Sequence, residues 1–243
     1  LLYFTGAMNL FDAVNHSLTT MPSGGFSTHD ASIGYYDSIL VESIIICFMF
    51  LAGVNFTLLW FIREGDFKKA FGDEEFRNYV LYVFVAFVSV SIALALSGNS
   101  VSQGVRDGLF QVVSFATSTG YTSTNYMGES WPLFGHLVLF ILMVVGASAG
   151  STSGGLKILR VTLAFKVATR ELVRIAQPRK IQQIRMNDEV VEEKQIGLIV
   201  GMLFVWVGLF FISSSDSPCQ TSLYVRINVH TYVYTHTYIY IYI

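Results

Sequence analysis

The stretch TTMPSGGFSTHD at residues 19–30 is polar and glycine-rich, although it lies in a strongly apolar chain. A related stretch, ATSTGYTSTN, returns at residues 116–125. Aligning the two at an offset of 95 residues pairs similar side chains along the whole segment: Asp12 with Asp107, Ser23 with Ser118, Gly25 with Gly120, Phe26 with Tyr121, Ser27 with Thr122, Thr28 with Ser123 and Asp30 with Asn125. The two stretches therefore predict an internal repeat.

The composition of the chain indicates a membrane protein. Of its 243 residues 53% are hydrophobic and only 13% are charged, whereas soluble domains carry roughly 25% charged residues. A net charge of -2 gives no signature of nucleic-acid binding. Cys47 and Cys219 lack the spacing of a metal-binding or redox pair.

Four apolar runs reach or approach the roughly 20 residues that a membrane-spanning helix needs. They are residues 39–62, 79–97, 132–149 and 196–212. Residues 155–175 continue as a basic, amphipathic helix. The chain is therefore expected to cross a membrane several times.

The positions of the basic residues orient these runs. Of 15 Lys and Arg, four lie between the first two runs and nine between the last two. Because positively charged loops stay on the cytoplasmic side, residues 63–78 and 157–194 are predicted to be cytoplasmic. Both polar stretches then lie on the outer side in one orientation. This predicts a parallel repeat of span, re-entrant loop and span, unlike the inverted repeats of many transporters.

Each polar stretch follows a helix-like segment, at residues 7–18 or 108–116. Non-helical backbone at membrane depth is tolerated only where protein or water surrounds it. Glycine permits positive φ, so such a loop can aim backbone carbonyls at a central axis, where they replace the hydration shell of a cation. Ordinary polar surface loops are the alternative, and two copies in register argue against it.

A third unusual run, GASAGSTSGGLKILR, occupies residues 146–160 at the predicted cytoplasmic end of the third span. Small residues also allow close helix packing, but this many glycines and hydroxyls predict a broken helix beneath the second polar stretch. An unwound segment there could occlude a pore. The run is not a nucleotide-binding loop, because Leu156 follows Gly155 where that pattern requires lysine.

Three segments together resemble the Trk/Ktr/HKT superfamily of potassium transport proteins, in particular the bacterial Trk membrane subunits. They are SLTTMPSGGFSTHDASIGYYDS (17–38), FQVVSFATSTGYTS (110–123) and GASAGSTSGGLKILRVTLAFK (146–166). The resemblance implies an all-α, multi-pass membrane protein of the cell (inner) membrane, built from span–re-entrant pore loop–span units of a potassium-channel-like pore.

The same resemblance implies functional residues and partners. The selectivity filter would comprise Ser23, Gly24, Gly25, Ser118, Thr119 and Gly120, with potassium at these positions only, as the transported substrate. The gate would comprise Gly146, Gly150, Ser151, Thr152, Gly154 and Gly155. No cofactor is implied. A homodimer, a cytosolic nucleotide-binding regulatory subunit and the lipid bilayer are the implied partners.

By this resemblance the chain holds the second and third of four pore units and the first helix of the fourth. The predicted divisions are the second unit at 1–62, a cytoplasmic loop at 63–78, the third unit at 79–170, a cytoplasmic linker at 171–195, a span at 196–212 and a low-complexity tail at 213–243. The chain opens at Leu1 without a methionine. We therefore expect an incomplete pore that does not conduct by itself.

The tail differs in character from the rest of the chain. Residues 235–241 read THTYIYI, which an AC repeat running into an AT repeat encodes in one frame. We interpret the tail as translated simple-sequence DNA.

Three other functions compete with potassium uptake. A cation symporter would use the same loops as a binding site, and a pseudogene product would have no function. An intramembrane enzyme is disfavoured, because the sequence contains no local catalytic motif. The basic side chains after the gate could meet lipid phosphates or the regulatory partner, or form a solvated face: Lys157, Arg160, Lys166, Arg170 and Arg174.

Overall fold

A computed structural model describes residues 1–128, 131–177, 183–187 and 189–215; the side chains of 209–215 and the tail from residue 216 lie outside this description. The described chain is mostly helical: α1 Leu10–Thr20, α2 Ile39–Ala52, α3 Phe56–Arg63, α4 Phe67–Gly72, α5 Glu74–Leu96, α6 Val101–Ala116, α7 Leu133–Val145, α8 Ile158–Ala176 and α9 Glu193–Ser215. Between α8 and α9, β1 (Arg185–Met186) pairs antiparallel with β2 (Glu189–Val190). The expected all-α class is confirmed apart from this short hairpin.

Short polar residues mark where several helices begin. Asn9 accepts a hydrogen bond from the Asp12 amide at the start of α1, at 2.8 Å. Asp73 accepts one from the Phe76 amide at the start of α5, also at 2.8 Å. Such side chains satisfy first-turn N–H groups that have no partner within the helix. The polar residues between the apolar runs therefore separate consecutive helices.

The first predicted span, residues 39–62, is not one straight helix. The axes of α2 and α3 differ by 103° across a break at residues 53–55. Asn55 caps α3 by accepting from the Thr57 amide at 2.9 Å. At Gly53 a β-carbon would lie 2.5 Å from the Tyr79 hydroxyl, so the break packs tightly against α5.

The other apolar runs form helices with different bounds. Among the described residues, α5 is long and apolar enough to cross a membrane, and the bent pair α2–α3 would count as a second span. Helix α7 has 13 residues, so the third predicted span, 132–149, is a short helix that enters a non-helical loop. The fourth predicted span, 196–212, lies within α9.

Helix α6 is central to the main hydrophobic core. It packs against α2, α5 and α7, and its Phe110, Val112 and Ala116 are fully buried. Arg106 on α6 also forms a two-pronged ion pair with Glu42 of α2, at 2.8 and 2.9 Å. A smaller cluster joins α8, the hairpin and α9 through Leu163, Ile184, Met186 and Ile196.

Candidate functional site

Two loops with one hydrogen-bond pattern follow α1 and α6. In the first loop (residues 21–27), the amides of Gly24 and Gly25 both donate to the Thr19 carbonyl, at 2.9 and 3.2 Å. In the second loop (residues 116–122), the amides of Thr119 and Gly120 both donate to the Ser114 carbonyl, at 2.9 and 3.4 Å. Every member of one set lies 95 residues from its counterpart. The predicted repeat is therefore present in the backbone.

The backbone torsions of the two loops also match. Ser23 and Gly25 have φ of 56° and 66°, and Ser118 and Gly120 have φ of 56° and 84°. A serine in the left-handed region is uncommon. Its appearance at both equivalent positions shows that both loops adopt the same strained path.

Within the described part of the chain, this path leaves six carbonyls without a hydrogen-bond donor. Among the described residues, no hydrogen bond reaches the carbonyl oxygens of 23–25 or 118–120. The next carbonyl in each loop is bonded: Thr19 Oγ1 donates to Phe26 O at 2.9 Å, and Ser114 Oγ donates to Tyr121 O at 2.7 Å. A hydroxyl on each helix thus fixes the far end of the loop.

The first and second loops lie against each other. A β-carbon on Gly25 would lie 1.7 Å from the Thr119 carbonyl oxygen. Just beyond the loops, the Gly34 amide donates to Thr122 O at 3.1 Å, and the Thr122 amide donates to Ser32 Oγ at 3.3 Å. The six residues predicted to form a filter therefore meet at one place.

The aromatic residues after the two glycines have different surroundings. The hydroxyl of the fully buried Tyr121 donates to Thr19 Oγ1 at 2.5 Å, and the His16 carbonyl oxygen lies 3.3 Å from the same hydroxyl. Its hydroxyl therefore braces the second loop against α1. The equivalent Phe26 is 75% exposed, so the two aromatic residues share a position in the repeat but not a packing environment.

The third glycine-rich segment, the inner loop (residues 146–157), contacts both of the other loops. Thr152 Oγ1 is 2.9 Å from Ser23 Oγ, and Ser153 Oγ is 3.3 Å from Ser118 Oγ. The sequence predicts this segment beneath the second loop, and the structure shows a contact with the first loop as well. The inner loop contacts the hydroxyl of Ser23 in the first loop and that of Ser118 in the second.

The inner loop is held by the break between α2 and α3. The amides of Ser148 and Thr152 donate to the carbonyls of Gly53 and Ala52, at 3.1 and 3.2 Å, and the Phe56 amide donates to Gly150 O at 3.1 Å. The bend exposes backbone groups that a continuous helix would use internally. Those groups bind the inner loop.

Two buried ionisable side chains, Lys157 and Glu75, hydrogen-bond to the inner loop, and the sequence does not predict these contacts. Lys157 is 1% exposed, and its ammonium donates to the carbonyls of Ser151 and Ser153. Of the basic residues expected to meet lipid or a partner, Lys157 is therefore unavailable. Glu75 on α5 is 4% exposed and accepts from the Ala149 amide at 2.5 Å. The number of charged residues in each loop does not reveal that the side chains of Lys157 and Glu75 are buried.

Beside the first loop, Asp12 accepts from Thr28 at 2.7 Å and pairs with His29 at 3.3 Å. The Thr28 hydrogen bond holds the pKa of Asp12 below its usual value, against the opposing effect of burial. This places a negative charge at the start of α1, on the predicted outer side.

The fold and these three loops define a membrane protein with repeated re-entrant loops over an inner loop. A protein-family model described as "TrkH: Cation transport protein" matches residues 3–218. The chain therefore belongs to the TrkH family of cation transport proteins. Membership agrees with the prediction that the chain is not an enzyme.

Named relatives and a solved structure agree with this assignment. The chain is 36% identical over 215 residues to the Trk system potassium uptake protein TrkH of Escherichia coli (strain K12), covering 87% of this chain and 44% of the relative. It is 31% identical over 217 residues to TrkG of the same strain, covering 86% and 44%. The crystal structure of the potassium transporter TrkH from Vibrio parahaemolyticus superposes with a TM-score of 0.82 at 31% identity, covering 87% and 46%. The chain thus spans less than half the length of these relatives.

Proposed function

We propose that the chain supplies two filter loops and the gate of a potassium-uptake pore. The single observation that carries this proposal is the pair of first and second loops, whose matching torsions leave six carbonyls free at one place. The named relatives are potassium uptake proteins, so we propose potassium as the transported cation.

The free carbonyls suit a dehydrated cation. A carbonyl oxygen carries partial negative charge, and several of them together can replace the water lost by an ion. The helices α1 and α6 end at the loops, so their partially negative C-terminal ends add to the same field. Within this proposal Ser23, Gly24 and Gly25 line one side of the ion path, and 118–120 line the adjacent side.

The inner loop acts as the gate in this proposal. Its Thr152 and Ser153 contact the innermost residues of both filter loops, so an ion leaving the filter meets the loop. Glycines permit its unwound path: a β-carbon on Gly146 would lie 2.2 Å from the Gly154 carbonyl oxygen. Conduction then requires the inner loop to move aside.

The rest of the pore and its partners belong to the same proposal. Two loops enclose part of an ion, and the four-unit arrangement implied by the resemblance would complete the ring. The intact protein is proposed to be a homodimer in the cell (inner) membrane, crossing it several times and binding a cytosolic nucleotide-binding regulatory subunit. Residues 63–78 and 157–194 would face the cytoplasm.

Potassium uptake by a strain lacking its own potassium transporters tests the function. The chain, extended to the full length of its relatives, should restore growth at low potassium, and Gly120→Ala should abolish the rescue. A parallel measurement with the membrane potential fixed and the sodium and proton gradients removed separates the alternatives. Flux that stops without those gradients would identify a symporter instead.

Cysteine labelling of sealed cells tests the orientation. A reagent that cannot cross the membrane should reach Asp30→Cys and Asn125→Cys, which are exposed and equivalent in the repeat. It should not reach Lys69→Cys, which is exposed on the opposite predicted side. Labelling of Lys69→Cys from outside would refute the orientation.

A further inference from the structure

The N-terminal end of α5 contacts the inner loop on one side and the β-hairpin on the other. We infer that the segment Asp73–Glu75 couples the hairpin to the inner loop, so that displacing the hairpin loosens the gate. The effect of this coupling on transport rests on the proposed gating role of the inner loop. The coupling itself is argued from contacts within the fold.

The contact with the inner loop runs through Glu75. Its carboxylate accepts from the Ala149 amide at 2.5 Å, and it is almost completely buried. Burial raises the pKa of Glu75 to about 7, and the hydrogen bond from the Ala149 amide opposes this rise by favouring the carboxylate. Among the described residues, the hydrogen bonds that join this loop to α2 and α3 use backbone groups or the Thr152 hydroxyl. Glu75 is the side chain of α5 that hydrogen-bonds to the loop.

The contact with the hairpin runs through the two preceding residues. Asn187, at the hairpin turn, accepts from the Glu74 amide at 2.8 Å and donates to the Asp73 carboxylate at 2.7 Å. Lys166 of α8 reinforces it, pairing with Glu74 at 2.5 Å and donating to the Arg185 carbonyl at 2.8 Å. Asn187 has φ of 48°, a left-handed conformation in which asparagine is enriched.

These contacts occupy three consecutive residues in and before the first turn of a 23-residue helix. A first turn carries amides that lack partners within the helix, and it moves more easily than the helix interior. Asn187 uses one of those amides. Freeing the turn from the hairpin therefore changes the position of Glu75, and with it the hydrogen bond to Ala149.

Hydrogen–deuterium exchange in lipid nanodiscs tests this coupling without any ion flux. The full-length protein is used, and the exchange rates of the backbone amides of residues 146–153 are measured. Glu75→Ala should speed their exchange by about tenfold, because it removes the acceptor of the Ala149 amide, and Glu75→Gln, which keeps an acceptor oxygen, should speed it less. Glu64→Gln, at an exposed glutamate after α3, should change nothing.

The link to the hairpin is tested by Asn187→Gly, which keeps the left-handed turn and removes the side-chain hydrogen bonds. It should speed exchange of the inner loop about threefold in the wild-type background and not at all in Glu75→Ala, because the signal passes through Glu75. The amides of α6 serve as the internal reference for general destabilisation.

The outcomes separate coupling from transport. Unchanged inner-loop exchange in Glu75→Ala, an Asn187→Gly effect that persists in Glu75→Ala, or equal acceleration in α6 would each overturn the inference. The expected exchange pattern together with no potassium flux in any background would support the coupling and reject the proposed transport function.

Discussion

Gly25→Ala is the sharpest perturbation of the two paired loops. Two effects act together at this position. The residue has φ of 66°, a conformation that costs a residue with a β-carbon about 1–2 kcal/mol. The added carbon would also lie 1.7 Å from the Thr119 carbonyl oxygen, so the two loops must separate by about 1.7 Å to restore an ordinary 3.4 Å contact.

The clash acts on the atoms that are proposed to bind the ion. Thr119 is one of the residues whose carbonyl is free, so relieving the clash displaces a carbonyl of the second loop as well as the first. A shift of this size exceeds the few tenths of an ångström that a well-packed site can absorb. We expect potassium-over-sodium selectivity to fall at least tenfold, equivalent to about 1.4 kcal/mol.

Gly24→Ala is the matched control. Its nearest contact would be the Phe26 ring at 3.5 Å, an ordinary van der Waals distance, and its φ is not positive. The assay measures the flux of sodium and of rubidium, which stands in for potassium, into proteoliposomes containing the full-length protein. Both variants are compared at equal protein density. Equal loss of selectivity in the two variants, or wild-type selectivity in Gly25→Ala, would refute the steric argument.

Three further substitutions test the supporting contacts through the thermal unfolding of detergent-solubilised protein. Lys157→Met leaves buried carbonyls of the inner loop unpaired and should cost about 1–3 kcal/mol, whereas Lys68→Met, at an exposed position, should leave the unfolding temperature unchanged. Arg106→Gln leaves the Glu42 carboxylate buried without its partner and should cost about 3 kcal/mol, most of which a second change, Glu42→Gln, should restore. Tyr121→Phe removes the hydroxyl that braces α1 and should cost about 1 kcal/mol; stability equal to wild type would show that this hydrogen bond contributes nothing.

The repeat could be predicted from the sequence because its signal is chemical and local. Glycines and hydroxyls at an offset of 95 residues specify the same backbone path twice, and the matched torsions of Ser23 and Ser118 confirm that path. The break after α7 was predictable for the same reason, since glycine and serine in such density do not maintain a helix. The roles of these loops in ion selection and gating stay predictions.

What could not be predicted depends on contacts between distant segments. The apolar run 39–62 indicates length but not straightness, although Gly53 and the capping residue Asn55 were signals of a break. Lys157 looked like one more basic residue of a cytoplasmic loop, but its position beside the carbonyls of Ser151 and Ser153 buries it. Phe26 and Tyr121 are equivalent in sequence, yet among the described residues Tyr121 is buried against α1 whereas Phe26 is exposed.

The most direct test of the central claim is to locate the ion. A crystal structure of the full-length protein grown in rubidium should show anomalous density within coordinating distance of the carbonyl oxygens of 23–25 and 118–120, directly above the inner loop. Rubidium bound elsewhere, with these six carbonyls hydrogen-bonded to protein or facing away from a common axis, would contradict the account.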